Sequence, residues 1–513
     1  MNMATAMNRT VEEIGEKLLM IFEGREITNT QLNEEARRLG SGLKSLGINR
    51  GDHVAVCMPN CPEVWAVFQG IWQAGAVIAP IMFRLSAEEI HYILQDSDAR
   101  FIITSAELLN KIEEARKGID QIKKIIVLEG EDKGDLIDFY GLMSRSEPKE
   151  KAEELDEEEV ALMIYTSGTT GRPKGVMLTH GNLYFNFMAT VGGPEKSQDL
   201  NRRTVSIVCL PLAHGFGVFL MNAALLSKKK QAYYVLMRWF DPKEVLSMIE
   251  KYRITHFSGV PAMYRMLLNH PDFNHYDLSS LESCSIASAP VTEELYKAFT
   301  TKFNCTMSEV YGLTEAVAVV TISRADMPRK QGSSGVPLPG VELRIVDAED
   351  KELPPYEQGE ITVKGPNVMK GYYKNPEETK EALRGGWLHT GDIGYVDEEG
   401  SLYVTDRKKD MIIKGGYNIY PSEIEKYILE HPVVREVGVV GVPHEKYGED
   451  VFAFAVLKDG KKISERELID YIQSRISKFK APSRIEFVDD LPKNLVGKIQ
   501  KQELKKMAKR IVS

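Results

Sequence analysis

A chain of 513 residues is too long for one hydrophobic core and predicts two or more domains. With 43% hydrophobic and 27% charged residues its composition is that of a globular protein, which excludes disordered, collagenous and disulfide-scaffold classes. A net charge of −9 leaves no electrostatic footprint for nucleic acid. From Arg407 onward 22 Lys and Arg stand against 16 Asp and Glu. That local basic surplus either suits an anionic substrate or is ordinary surface variation.

The first residues carry no apolar signal region and no cleavage site, so a cytoplasmic protein is expected. Thr28-x-x-Gln31 is a capping-box pattern opening an amphipathic helix, and HVAVCM after it reads as a strand. Val64 to Phe83 is free of charge, long enough to span a bilayer. Gln69, Gln73, Gly70, Gly75 and Pro80 break it, so a buried helix feeding a buried strand is the better reading. FIITS and KKIIVLE are strand candidates on either side of the helical AELLNKIEEARKG. This β-α alternation predicts a largely parallel sheet covered by helices. An acidic run at 150–159 reads as a solvated connector before the apolar strand VALMIY.

The alternation resumes with TVSIVCL and EELYKAFTTKF, then gives way near 335–405 to short strands with turns, a small β-rich lobe. Past it, GVVGVP, VFAFAVL and RIEFVDD alternate with helices opening after Tyr420 and Ser464. The fold class expected is therefore α/β: a large N-terminal domain, residues 1–406, of helix-flanked sheets plus the β-rich lobe, and an α+β C-terminal domain, residues 407–513. The cysteines (Cys57, Cys61, Cys209, Cys284 and Cys305) form no disulfide framework or zinc spacing and read as reduced thiols.

Chemistry concentrates in Tyr165-Thr-Ser-Gly-Thr-Thr-Gly-Arg-Pro-Lys-Gly175. Glycines let the backbone turn its N–H groups toward an anion, hydroxyls add donors, and Lys174 adds a cation for phosphate oxygens. It is not a Walker loop, because Gly-Lys-[Ser/Thr] is missing and Pro173 precedes the lysine. The segment resembles the phosphate loop of the adenylate-forming superfamily of acyl-CoA synthetases, luciferases and peptide-synthetase adenylation domains. Further segments match that superfamily in order: PLAHGFG (211–217), EVYGLTE (309–315), GEITVKGPNVMKGYY (359–373), GWLHTGD (386–392), DRKKDMIIKGGYNIYP (406–421) and PKNLVGKI (492–499).

The resemblance implies an ATP-dependent acid:CoA ligase with ATP, Mg²⁺ and CoA. Attack of a carboxylate on the α-phosphate sets anion against anion, so charge must be neutralised and the reactants held in line. Thr166, Ser167, Gly168, Thr169, Thr170 and Lys174 would cradle the phosphates, and Glu315 with Thr166 would hold Mg²⁺. Glu309, Val310, Tyr311, Gly312 and Thr314 would contact adenine and α-phosphate, with Ser288, Ala289 and Pro290 closing over the base. Asp392 would take the ribose hydroxyls beside Arg407, and Lys498 would be the catalytic lysine of adenylation, with Lys493 and Lys501 solvated near it. His214 would gate the acyl pocket, a satisfied core histidine being the alternative. Phe216, Val218, Val260, Ala287, Gly312 and Ala318 would line that pocket.

Thioester formation implies a swing of the C-terminal domain about Lys409, which presents Lys414, Gly415 and Gly416 beside the pantetheine. Two departures stand out. Val310 replaces a Gly common in relatives and should narrow the pocket, and Ser288 replaces the Gly of Gly-Ala-Pro, a small change expected to be tolerated. Gly312, where acetate-selective relatives carry Trp, predicts a larger acyl group. A medium- or long-chain fatty acid is the first expectation and an aryl or alicyclic acid the second. Loading of a carrier-protein thiol and a non-catalytic acyl-nucleotide sensor are the alternatives of other kinds. The expected partners are small molecules only, on a monomer or homodimer without a transmembrane segment, peripheral membrane contact staying open.

Overall fold

The structure is a computed structural model that describes residues 2–148, 152–167, 172–191, 202–289, 291–324, 327–415, 417–493 and 499–512. The chain forms two compact units, Met1–Leu343 with Val363–Leu388, and Arg344–Thr362 with His389–Ser513. The β-rich lobe is thus divided between the two units.

The first unit holds a nine-stranded and an eight-stranded sheet. In the nine-stranded sheet Thr204–Val208, Ala232–Leu236, His256–Gly259, Ser283–Ile286 and Thr306–Tyr311 run parallel, and antiparallel strands close both edges. The eight-stranded sheet centres on parallel His53–Cys57, Val77–Pro80, Phe101–Ser105 and Lys124–Leu128. Such strands are apolar without alternation because helices cover both faces: Val54–Cys57 and Phe101–Thr104 are buried throughout.

Local signals account for the elements. Thr28 caps Asn29–Ser45 with a reciprocal Gln31 box, as its spacing predicts, and Ser464 does the same with Glu467 for Glu465–Gln473. Glu293–Phe303 follows the apolar period of EELYKAFTTKF. The charge-free stretch forms helix Glu63–Gln73 and strand Val77–Pro80. Among the described residues no helix is long and apolar enough to cross a membrane. The helix expected at AELLNKIEEARKG is shorter: a 3-10 turn, Ala106–Leu108, precedes Leu109–Ala115. The cysteines are free, and all but Cys305 are fully buried.

Register positions the site. Gly259 lies opposite Ile286, and Ile286 opposite Glu309. The chain therefore leaves three neighbouring parallel strands at one edge, where Val260, Ala287–Ala289 and Val310–Gly312 follow. Ligands of open α/β sheets bind at this carboxyl edge.

The second unit combines a four-stranded sheet, Glu342–Val346, Gly359–Lys364, Leu388–Val396 and Leu402–Arg407, with a five-stranded terminal sheet built on the hairpin Val434–His444/Gly448–Leu457. That hairpin buries both faces: Val437, Val439 and Val451 against Ile424, Ile428 and Leu468, and Val440, Phe452 and Phe454 beside Leu504 and Ala508.

Candidate active site

In the first unit, Val160–Ser167 and Pro173–Thr179 pair antiparallel, with Thr166 opposite Lys174. The tip of this hairpin, with Gly168, Thr169 and Thr170, lies outside the described residues, as do Pro290, Gly416 and Lys498; Ser167 is described in its backbone only. The Lys174 ammonium pairs with Glu378 and stands 5.3 Å from the Tyr372 ring centre. Tyr372 in turn donates its hydroxyl to Glu315 Oε1 at 3.0 Å. Burial and the Glu315 carboxylate push that phenol well above its ordinary pKa, so Tyr372 stays a donor. One chain of contacts thus ties the phosphate-loop hairpin to Glu315. Tyr372 and Glu378 were not singled out in the sequence; the signal for them was their place in and just after GPNVMKGYY.

Glu315 sits on a turn of unusual geometry. Val317 and Ala318 both adopt left-handed backbone, φ 54° and 68°, where a β-branched residue is a true outlier. This folds Ala318 back onto Gly312. A Cβ at 312 would fall on the Ala318 carbonyl oxygen and lie 2.8 Å from Val319 N. Glycine therefore suits this close backbone approach, and a side chain there must displace the turn before it can fill any pocket.

The apolar residues expected to line the acyl pocket follow the parallel strands or lie on helix Gly215–Leu226. Phe216, Val218, Val260 and Ala287 are buried, and Ala318 is half-buried. Added to Gly215, a Cβ would lie 3.8 Å from Ala318 Cβ, 3.8 Å from Thr314 Oγ1 and 4.0 Å from Ile164 Cδ1. His214 caps helix Gly215–Leu226, its Nδ1 facing Phe216 N at 3.4 Å, and burial lowers its pKa, so the ring is neutral at pH 7. Val310 is buried, and Tyr311 and Thr314 are half-buried. The Glu309 carboxylate meets Arg329 at 3.1 Å; Arg329 also pairs with Glu293 and lies 3.4 Å over the Tyr296 ring. Burial raises the Glu309 pKa to about 7.

Ser288 is exposed with φ 72°, the left-handed region that favours glycine. The replacement of Gly by Ser there, expected to be of little consequence, carries backbone strain.

In the second unit Asp392, only 4% exposed, pairs with Arg407 Nε at 2.9 Å across adjoining strands. Lys409 lies exposed on the 3-10 turn Lys408–Asp410. Lys414 is buried, 2.6 Å from Asp450 and 5.0 Å from the Phe479 ring centre. Gly415 follows it with φ 57°. Lys493 and Ile499 form a bridge at the two ends of the segment that holds Lys498. The expectation that Lys493 and Lys501 are solvated holds for Lys493, which is exposed though ion-paired, and is corrected for Lys501. Lys493 pairs with Glu436 at 2.7 Å and Asp490 at 3.0 Å, and Lys501 with Glu425 at 3.0 Å. Helix Lys501–Val512 buries Leu504 and Ala508 against the hairpin, which draws Lys501 in. Burial alone would lower its pKa, yet Glu425, with Asp406 and Asp410, holds it above the ordinary lysine value.

Known proteins share this arrangement. Residues 7–373 match the AMP-binding enzyme family and residues 423–498 its C-terminal domain. The chain is 38% identical over 520 residues to a long-chain-fatty-acid–CoA ligase of Bacillus subtilis (strain 168), covering 95% of this chain and 91% of that protein. It is 38% identical over 485 residues to a feruloyl-CoA synthase of Amycolatopsis sp, covering 94% of each. The crystal structure of ATP-bound MatB from Rhodopseudomonas palustris superposes with a TM-score of 0.90 at 31% identity, covering 100% of both chains. A phosphate-loop hairpin tied to a half-buried glutamate at the sheet's carboxyl edge, within a chain matched along its length, makes this protein a member of the AMP-binding enzymes of the adenylate-forming superfamily, an ATP-dependent, AMP-forming acyl- or aryl-CoA ligase.

Proposed function

We propose that the acid is a medium- or long-chain fatty acid. The observation that carries this reading is the character of the residues expected around the acyl group: Phe216 and Val218 on helix Gly215–Leu226, and Val260 and Ala287 just past two parallel strands, are buried and apolar, so none of them could pair with a second carboxylate on the substrate. An acyl chain gains about 0.8 kcal/mol per methylene buried against such a wall.

In the first half-reaction a carboxylate oxygen attacks the α-phosphorus of ATP in line and pyrophosphate leaves. Lys174 exchanges Glu378 for phosphate oxygens, and Thr166 with the loop hydroxyls and N–H groups holds the chain of phosphates. Glu315 and Thr166 are the residues that would hold Mg²⁺. Among the described residues no cluster of three or more His, Cys, Asp or Glu forms a cage. A single carboxylate and a hydroxyl fit a cation that takes the rest of its oxygens from phosphate and water. When bound it would neutralise charge on the leaving pyrophosphate. Asp392 accepts the ribose hydroxyls beside Arg407, and Lys498 steadies charge between carboxylate and α-phosphate. In the second half-reaction the terminal residues turn about Lys409, the CoA sulfur attacks the acyl carbonyl carbon, and AMP departs. Lys414, anchored on Asp450, fixes the loop whose glycines admit the pantetheine.

The feruloyl-CoA synthase relative, as similar as the fatty-acid ligase, favours an aryl acid as the second reading. Pyrophosphate release across straight-chain acids of two to eighteen carbons and ring acids, with and without CoA, separates the readings. kcat/KM should rise with chain length to at least eight carbons and exceed that for ferulate tenfold. A maximum on ring acids would reverse the order, and turnover with a carrier-protein thiol but not CoA would change the acceptor.

A further inference from the structure

The turn that carries Glu315 is held from outside by side chains to which no role has been given. Asn186, on helix His180–Val191, donates Nδ2 to the Val319 carbonyl at 2.7 Å and to the Ala316 carbonyl at 3.5 Å. Asn367 donates Nδ2 to the same two carbonyls, at 3.3 Å to Ala316 and 3.4 Å to Val319. Both asparagines are fully buried. An amide nitrogen has two hydrogens and a carbonyl oxygen two lone pairs, so two amides and two carbonyls can satisfy one another in a closed set of four bonds. The Oδ1 atoms of both residues are buried without a partner. That penalty fixes what the side chains are for: they supply donors, and turning either amide over would set oxygen against oxygen.

The surroundings extend the clamp. Met369 N donates to the Glu315 carbonyl at 2.8 Å. Asn182, one helical turn before Asn186, donates to the Pro366 carbonyl at 2.7 Å. The clasped carbonyls bracket the two left-handed residues Val317 and Ala318, a conformation that persists only where its surroundings over-determine it. The same turn presents Glu315 to Tyr372 on one side and lays the Ala318 carbonyl over Gly312 on the other.

We propose that Asn186 and Asn367 are positioning residues which, by clasping the Ala316 and Val319 carbonyls, set the Glu315 carboxylate and the Ala318–Gly312 acyl wall together. The proposal rests on the reading above that Glu315 serves the metal–phosphate site and Ala318 the acyl pocket. It makes a linked demand: loosening the clamp must disturb magnesium dependence and chain-length preference at once, because one turn carries both.

The test compares Asn367→Leu, which keeps the volume and removes the donor, with Asn186→Ala, with the double variant and with Glu315→Gln, all in the full chain. Pyrophosphate release is followed against Mg²⁺ concentration and acid chain length, together with thermal unfolding. The clamp predicts that Asn367→Leu raises half-saturating Mg²⁺ and the KM for the preferred acid each about tenfold and flattens the chain-length profile. The double variant should lose about 10²-fold in kcat/KM, the scale of an ångström's misplacement. Glu315→Gln should abolish the magnesium response and leave the profile intact. Lowered melting temperature with unchanged KM, magnesium response and profile would overturn the proposal. A normal magnesium response in Glu315→Gln would instead remove the metal reading, and the clamp would then stand or fall on the chain-length profile. Should Asn367→Leu not accumulate as folded protein, Asn186→Ala, which leaves Asn367 donating to both carbonyls, carries the same readouts at smaller amplitude.

Discussion

The turn Gly312–Val319 and the segment Asp406–Lys414 are built in opposite ways. In the first, backbone carbonyls are clasped by buried asparagines, a glycine is cradled by a carbonyl, and two left-handed residues are held in place. In the second, Lys408 and Lys409 stand exposed on one 3-10 turn between buried Asp406 and Asp410. The ties around that turn are side-chain polar contacts: Arg407 Nε to Asp392 at 2.9 Å, Lys408 to Glu360 at 3.0 Å, and Asp406 to the N–H of Ser422 at 2.9 Å, in the first turn of helix Pro421–Leu429. On the reaction proposed above, the contrast matches what each half-reaction would ask of its backbone. Charge stabilisation needs a site fixed within a fraction of an ångström, whereas a change of partners needs a few residues that can absorb a rotation.

Breaking the rigid region should have the largest effect. Gly312→Ala sets a methyl group on the Ala318 carbonyl, so the turn must open. Acyl-AMP formation should fall on the order of 10²-fold, with a lower melting temperature. Rates within twofold of the parent, measured by pyrophosphate release, would mean that the turn is soft and the comparison false.

A substitution in the bending region should act differently. Proline at 409 suits the φ of a 3-10 turn but disfavours the helical backbone of Lys408 before it. Lys409→Pro should slow one half-reaction at least tenfold and leave the other within about twofold, an imbalance of the kind expected when a hinge is frozen. Acyl-AMP formation and thioester formation from supplied acyl-AMP, assayed separately, decide this. Equal rates in both would mean that the rotation does not pass through Lys409.

The smallest effect concerns backbone strain at the exposed Ser288. Ser288→Gly relieves a left-handed serine at the cost of a freer unfolded chain. The net gain should be about 0.5–1 kcal/mol, read as a small rise in melting temperature. A fall would show that the serine side chain, not the backbone, governs that position.

Much of this architecture was legible because its signals are local. The capping boxes at Thr28 and Ser464, the apolar period of Glu293–Phe303 and the strand runs through Val54 and Ile102 each fix an element within a dozen residues. The phosphate loop and its companion motifs, in their order along the chain, carry the superfamily resemblance without any tertiary contact. What the tertiary structure alone decided are relations between distant parts of the chain. Tyr372 reaches Glu315 across 57 positions and Asn186 reaches Val319 across 133. Lys501, unremarkable in its motif, is drawn onto Glu425 because its helix packs apolar side chains on a hairpin that begins 67 residues earlier. Gly312 reads in the sequence as room for a larger acyl group, and the fold adds that a backbone carbonyl crosses it closely, so that any side chain there must move the turn. No local pattern encodes such a crossing, because the excluded volume belongs to a carbonyl whose position is set by side chains elsewhere in the chain.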